Sequence, residues 1–463
     1  MEESKRLRAL QFVQNSLQFG EQTVMPLHMD RYLMSFADEE FGQNWVESPD
    51  VFAILSSGMS ALESFRNSPT APVYDLSSAI AYLFGHGPLH FHKVPFLLRN
   101  LLRKQVFKNQ LRILDLGAGA GIASLSTIYF FELLACATRI VTGAAEEYHL
   151  KLTPLDSVDE TLQIYHRLLQ NYTPYFPEVT VELGSPIHTT LTTDADALAD
   201  MFGNEKFDLV LASHVLGEMR TASITGRARL VRELGKLLEP EGAILFVESA
   251  SGAITSEMNQ LKSRVVSEGL NLFHPCSTAW EKPTGRQCYS CGNAQFERVR
   301  KPQMAEILST LLETYNFDAL AEKNLWTFGI LRNEDAPHHP ILEIASGLFT
   351  KIADLQSHLD KRVSLYGAIA RQETARVDNS VFFKLCDQSS GSDFAYLKFA
   401  PEIGTPFLEN GDVLELEDVL VQAAKGGKNK VSVVVDGQTR VRNLSRDYRH
   451  LPSKHVLTPE VLG

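Results

Sequence analysis

The stretch RILDLGAGAGIASLSTIYFF, residues 112–131, decides how the rest of the chain is read. It runs from an apolar strand into a glycine turn and on into an apolar helix. Leu111 to Leu116 have the character of a buried strand, and Gly117, Gly119 and Gly121 follow at two-residue spacing before a helix begins near Ile122. Glycine admits positive φ and lets a ligand reach the main chain without a Cβ in the way, while a helix start offers N–H groups that have no intrahelical acceptor. A dinucleotide fold prefers G-x-G-x-x-G, with the third glycine one residue later than here. Asp115, just ahead of the glycines, would repel a diphosphate but accept from an ammonium group. The turn therefore fits an amino-acid-like ligand with a positive end better than a phosphate.

Outward from this turn, residues 111–333 alternate short β-branched runs with amphipathic stretches. HLKLTPLD, PEVTVELG, FDLVLAS, GAILFVES and LWTFGILRN are separated by DETLQIYHRLLQNY and ITGRARLVRELGKLLEP. Such alternation predicts parallel crossovers and a doubly wound α/β sheet. Residues 1–110 carry helical periodicity in SKRLRALQFVQNSLQF, DVFAILSSGMSALESF and VPFLLRNLLRKQV, which predicts a helical N-terminal domain. EDAPHHP, residues 334–340, has the composition of a linker. Beyond it, one helical stretch, FTKIADLQSHLDKR, precedes SLYGAIARQ, SVFFKLCD, FAYLKFA, DVLELED and KVSVVVDGQTRVRN. These predict a small barrel-like or sandwich-like β domain over 341–463, with Asp436-Gly437 as a hairpin turn.

Composition narrows the function classes. The 463 residues are 44% hydrophobic and 22% charged, ordinary for a soluble globular chain. The closest approach to a membrane span, YFFELLACATRIV, is short and broken by charge, against the roughly 18–20 apolar residues a span needs. MEESKRLRALQF has no apolar signal core and an early Glu pair, so the expectation is an intracellular, cytoplasmic protein without a transit peptide. A net charge of −12 opposes non-specific nucleic-acid binding, yet residues 425–454 hold eight Lys and Arg against Asp436 and Asp447. A basic end on an acidic body is either a solvated face or a phosphate contact.

DLGAGAG resembles the first motif of class I S-adenosylmethionine-dependent methyltransferases, in which the glycine turn lies against the methionine end of the cofactor. The resemblance implies a Rossmann-like core binding S-adenosylmethionine through Asp115, Gly117, Gly119 and Gly121. It also implies that Asp156, at the end of the second strand, meets the ribose hydroxyls. Asp194 or Asp196, after the third strand, would face the adenine amino group or simply cap a surface helix. More of the chain takes part in a narrower likeness. SAIAYLFGHGPLHF, DLGAGAGIASLS, DLVLASHVLGEM, the HPC segment and FFKLCD are similar, in this order, to the methyltransferase-like family associated with the small ribosomal subunit. Its mitochondrial members act in ribosome assembly and translation, and bacterial relatives exist. The likeness spans roughly residues 75–400, and only the glycine motif is individually sharp.

Cysteine placement bears on the same idea. An intracellular chain does not spend five cysteines on structural disulfides. Cys276, Cys288 and Cys291 cluster after the fifth strand, within a Cys-rich insertion over 274–301, and Cys386 stands alone in the β domain. Three thiolates from one loop and one from a distant domain would complete a tetrahedral set. The resemblance implies a four-cysteine iron–sulfur site whose last ligand comes from the C-terminal domain, although the spacing departs from the family pattern. CYSCG also resembles half of a zinc knuckle, and the plain alternative is a set of unremarkable thiols. Cys136 is read as helix packing.

His214 and Glu218 follow the fourth strand, at the edge where an acceptor would meet the methyl group, and are the candidate catalytic residues; the competing reading packs them on the next helix. His86, His90 and His92 in FGHGPLHFHK lack a carboxylate or thiol to complete a metal set. No Asp/Asn-Pro-Pro-aromatic signature follows the fourth strand, and Pro275-Cys276 lacks the surroundings of a nucleophilic RNA-methylating cysteine. Two functions stay open. One is a methyltransferase acting on RNA of the small subunit; the other is a non-catalytic assembly or RNA-binding factor with a structural metal site.

Overall fold

The structure is a computed structural model. It describes residues 25–274, 293–295, 302–313, 325–333 and 349–443, apart from 68–74, 103–106, 144–145, 173–177, 193, 204, 220–221, 251, 375–380, 388, 390–393, 407, 409–411 and 425–429. The expected helix at 4–19, the linker at 334–340, and Cys276, Cys288 and Cys291 lie outside the described residues.

The central sheet is built from β1 (Gln110–Leu116), β2 (Tyr148–Asp156), β3 (Val179–Leu183), β4 (Ile187–His188), β5 (Phe207–Ser213), β6 (Leu238–Ser249), β7 (Leu270–His274), β8 (Asn293–Gln295) and β9 (Leu325–Asn333). Its order is β3-β2-β1-β5-β6-β9-β7, with β4 beside β2 and β8 beside β9. The first five in that row run parallel and β9 runs antiparallel to β6 and β7. The chain moves outward from β1 to β3 and then crosses back to lay β5 on the other side of β1. Such a reversal opens a crevice at the carboxyl ends of β1 and β5, where ligands bind in doubly wound sheets. The expected doubly wound α/β fold is thus present.

Both faces of the sheet are covered, which explains the unbroken apolar runs of its strands. Alternate residues separate two cores. Ile113, Leu209, Leu211 and Leu245 face one cluster, and Leu114, Leu116, Val210 and Phe246 face the other. The first face carries α6 (Ile122–Thr142) and α7 (Asp159–Tyr172), and the second carries α9 (Ile224–Lys236) and α10 (Gly252–Ser267). Helix α8 (Ala195–Phe202) packs on the second side. By length and composition the Ile122–Ile140 part of α6 is apolar enough to cross a membrane, contrary to the sequence expectation; 72% of that stretch is buried, as a core helix of a folded domain is. Strand β6 begins four residues before the expected GAILFVES run. Its pairing jumps from Phe207↔Leu238 to Leu209↔Ala243, a bulge that takes up the extra residues.

The N-terminal helices α1 (Leu27–Phe41), α2 (Pro49–Asn67), α3 (Leu76–Ala81), α4 (Gly87–His90) and α5 (Lys93–Leu102) share the first core. Phe96 of α5 packs edge-on against Trp326 and Phe328 of β9, with ring centroids 5.1 and 5.4 Å apart. Helix α11 (Gln303–Leu311) joins α1 through Asp30, whose carboxylate accepts from the N–H groups of Gln303 and Met304.

The C-terminal unit is a barrel. β10 (Arg362–Thr374), β11 (Val381–Cys386), β12 (Ala395–Phe399), β14 (Val431–Val435) and β13 (Val413–Ala423) follow one another around it, and β13 pairs back to β10. β12 and β14 are parallel and the other pairs antiparallel, the five-stranded Greek-key plan of an OB-type barrel. Leu365, Phe383, Leu385, Leu397, Leu416 and Val433 fill the interior. Two expectations change here. FTKIADLQSHLDKR contributes a single 3-10 segment, Ile352–His358, whose Ile352 N–H donates to Asp387 at 2.7 Å. Asp436-Gly437 is not a hairpin turn. β14 and β15 (Arg440–Asn443) both pair antiparallel with β13, and the register moves from Leu420↔Val434 to Glu417↔Arg440. The turn therefore loops residues out of one continuing edge. Arg362 forks onto Asp436 and holds the loop there.

If the N-terminal helices belong to the core of the sheet, Phe96→Ala destabilises the α/β body by about 3–5 kcal/mol. Urea unfolding followed by Trp fluorescence measures it; an unchanged midpoint would show the helices to be a separately folding unit.

Candidate functional site

The glycine turn sits at the carboxyl end of β1, and its φ angles are +58° at Gly117, +51° at Gly119 and +95° at Gly121. Side chains disfavour all three. Close packing adds a second reason at two of them. A Cβ on Gly117 would meet Val215 at 2.5 Å, and one on Gly121 would meet Tyr165 at 3.0 Å. At Gly119 a Cβ would meet nothing nearer than Gly117 O at 4.0 Å, so this residue faces open space.

That space is a cavity of about 520 Å³. Its floor is the turn and the first residues of α6, where N–H groups lack intrahelical acceptors. One side is Asp156 to Val158 with Thr189 to Leu191, and the other is Ser213 to Val215, Glu218 and Met219, with Tyr82 and Ala79 above. The volume lies within the roughly 300–1,000 Å³ typical of small-molecule sites.

Asp156 lines the cavity. One carboxylate oxygen accepts from Gly119 N–H at 2.9 Å and the other from Val158 N–H at 3.0 Å. A carboxylate offers about four acceptor positions, so two remain for a ligand's hydroxyls. Asp115 is placed differently. It is 1% exposed and lies beneath the turn, where Ser124 Oγ donates to its Oδ2 at 2.6 Å and Tyr165 donates to Ser124 at 2.7 Å. Its Oδ1 is buried with no partner in the chain. Burial, aided by the nearby Asp156 charge, pushes its pKa up to about 7. Asp194 is exposed and Asp196 falls in α8, while Thr189 to Leu191 form the cavity wall on that side.

His214 and Glu218 both reach the cavity. His214 has a φ of +61°, and the turn after it is held from below by Glu248, at the end of β6. Glu248 accepts from the backbone N–H groups of Gly217, Leu216 and Val215; burial nevertheless raises its pKa to about 7. Lys93 Nζ stands 3.3 Å from His214 Nε2. A protonated lysine at this distance can only donate, which would make Nε2 the acceptor. His90 stacks on His214 with centroids 4.5 Å apart, and Tyr82 Oη bonds His90 Nδ1 at 2.9 Å.

This wall comes from an irregular stretch of the N-terminal helices, the FGHGPLHFHK segment. Tyr82–His86 forms one π-helical turn, with Gly87 N–H reaching back to Tyr82 O. Gly87 permits the close approach of this stretch to α6, since a Cβ there would meet Ile122 at 2.8 Å. Tyr82, His86 and His90 lie four residues apart and share one face. Their i, i+4 spacing was a readable signal; Lys93 and Glu248 had none. Among the described residues no cluster of His, Cys, Asp and Glu has metal-binding geometry, His86, His90 and His92 included. Cys386 is a half-buried free thiol at the end of β11, and its three expected partners lie outside the described residues.

No family model matches the chain, and no curated protein does. Solved structures do overlap with it. The N-methyltransferase NodS from Bradyrhizobium japonicum, in complex with S-adenosylhomocysteine, is 12% identical over 59% of this chain and 98% of its own, with a TM-score of 0.29. The [4+2]-cyclase SpnF is 16% identical over 52% of this chain and 80% of its own, also at 0.29. The OB domain of a Methanosarcina mazei protein covers 20% of this chain and 80% of its own at 18% identity, with a TM-score of 0.17. These scores are too low for the likeness to carry a functional argument, which rests instead on the cavity.

Asp115 holds its proton more tightly folded than unfolded, so between about pH 4 and about pH 7 the folded state binds more protons and stability falls as pH rises. Glu248 acts in the same direction. Asp115→Asn should flatten this slope and leave the ligand-free protein roughly 1–3 kcal/mol more stable at pH 8. Urea unfolding across the pH series checks it, and parallel curves for the two proteins would contradict the assignment.

Proposed function

We propose that the cavity binds S-adenosylmethionine and that the protein is a methyltransferase acting on RNA of the small ribosomal subunit during its assembly. The observation that carries the cofactor reading is the glycine turn at the sheet reversal, with Gly119 open to the cavity and, at the end of the strand that leads into the turn, a buried carboxylate oxygen of Asp115 without a partner in the chain. That oxygen would suit the amino group of a methionine moiety, and the free acceptor positions of Asp156 would suit a ribose diol. When bound, the cofactor supplies an electrophilic methyl group on a sulfonium. The chain's own part is to position: the turn and Asp156 fix one partner, and Tyr82, His214, Glu218 and Met219 line the space for the other. Orientation of this kind is the main source of rate in a direct displacement.

The RNA part of the reading is supported by the order of motifs shared with the ribosome-associated family. The iron–sulfur or zinc site of Cys276, Cys288, Cys291 and Cys386 belongs to the same proposal, with Cys386 a thiol of the required type. A second reading, a cofactor-binding assembly factor without catalysis, is favoured by one observation. Lys93 already engages His214 Nε2, the nitrogen that would otherwise take an acceptor's proton.

Calorimetry tests the cofactor. The wild-type protein should give saturable heat with S-adenosylmethionine, and Gly119→Arg should lose it while keeping a folded circular-dichroism spectrum, at some cost in melting temperature from its left-handed φ; equal heats would remove the assignment. Labelled cofactor incubated with RNA and protein from cells lacking the gene then separates the two readings. Transfer into small-subunit RNA is expected of the enzyme, and binding without transfer is expected of the assembly factor.

A further inference from the structure

The turn that carries His214 and Glu218 into the cavity has little hydrogen bonding of its own. His214 N–H donates to Val247 O at 2.8 Å, and the N–H groups of Glu218 and Met219 return to Val215 O at 3.0 and 3.2 Å. Between these points lie the N–H groups of Val215, Leu216 and Gly217 and the carbonyl of Leu216, in buried residues whose backbone must find partners elsewhere. Two buried ionic side chains supply them. Glu248, at the end of β6, accepts from the three N–H groups. Arg227 of α9 donates from Nη1 to Leu216 O at 3.0 Å, and its Nη2 is fixed in turn by Glu257 of α10 at 2.7 Å. Gly217 makes this grip possible, because a Cβ there would meet Glu248 Oε2 at 2.7 Å and Ile254 Cγ2 at 3.4 Å.

We propose that Arg227 and Glu248 are positioning residues for two walls of the cavity, clasping the peptide groups of Val215 to Gly217 so that His214, Glu218 and the glycine turn keep their places. Neither residue lines the cavity itself. The acceptor side is set directly, since His214 and Glu218 flank the clasped peptides. The glycine turn is set through Val215, whose Cγ2 stands 2.5 Å from where a Cβ of Gly117 would be. Packing alone would not call for this pair. The same layer already holds Phe246, Leu230, Leu234 and Met258 together, and burying a carboxyl and a guanidinium among such residues is costly. What charged partners add is strong bonding with a fixed direction. Lys93 strengthens the link, because its charge favours ionised Glu248 while its Nζ stands at His214 Nε2. The inference deepens the reading of the cavity given above and rests on that reading for its effect on the cofactor.

Hydrogen exchange of the full-length, ligand-free protein tests the clasp, read by mass spectrometry on the peptide spanning residues 213–219. Calorimetry with S-adenosylmethionine tests its consequence. Exchange in 213–219 should rise roughly tenfold to a hundredfold in Glu248→Leu and in Arg227→Met, with β1 and the barrel unchanged. Cofactor affinity should fall by about tenfold in the same two variants. Glu248→Gln keeps an accepting oxygen and should bring both readings to within about threefold of wild type. Gly217→Ala leaves both ionic groups in place, and it should raise exchange in the same peptide because its Cβ displaces Glu248 Oε2. If Glu248→Leu does not fold, Gly217→Ala and Arg227→Met carry the test. The proposal falls if exchange in 213–219 is unchanged, or if it rises equally throughout the chain, since the two residues then only support the core. It also falls if Glu248→Gln is as damaging as Glu248→Leu, or if the turn loosens while cofactor binding stays as in wild type. Absence of heat from the wild-type protein would remove the cofactor reading, while the exchange data would still decide the clasp.

Discussion

Three left-handed residues at the end of one strand set the geometry of the α/β body. At Gly117 the constraint comes from Val215, which presses on the turn from the end of β5; at Gly121 it comes from Tyr165 of α7. The turn is thus wedged between the two elements that flank the crevice, and neither glycine can gain a side chain without moving one of them. Gly119 is constrained only by its φ and leaves its outer side vacant. The same packing that closes the structure on two sides of the loop keeps it open on the third. Asp156 accepts from Gly119 N–H and so ties the end of β2 to the middle of the turn.

Around that turn the protein accepts electrostatic cost. Asp115 and Glu248 are fully buried carboxyls with raised pKa values, each with one oxygen lacking a partner. Burying such groups is expensive unless they are neutralised or bonded. Their bonds serve placement. Asp115, Ser124 and Tyr165 link β1, α6 and α7, and Glu248 holds the turn that carries His214 and Glu218 into the cavity. Local rules broken near a cavity and obeyed elsewhere mark a site where geometry has been favoured over stability.

The N-terminal helices complete this site as well as the core. A single π-helical turn resets the phase of the chain between α3 and α4, and Gly87 lets it approach Ile122. Tyr82 and His90 then stand over the crevice against His214. The barrel presents the opposite situation. Which side chains of β11 and β12 turn into its core follows from strand alternation alone.

Local rules made much of this legible. Apolar runs of strand length, separated by helical periods, gave the order of elements in the sheet region, and the glycine spacing with Asp156 at a strand end located the cavity. Those signals depend on residues within one or two turns of each other. The same reliance on neighbours misread Asp436-Gly437 as a hairpin, because a turn dipeptide cannot reveal that both flanking strands pair with β13. It also missed Lys93 and Glu248. Lys93 meets His214 across 121 positions of sequence. What the sequence determined by itself was the set of elements and the turn; which side chains share the cavity was decided by the tertiary structure, because only packing brings such distant positions within a hydrogen bond's reach.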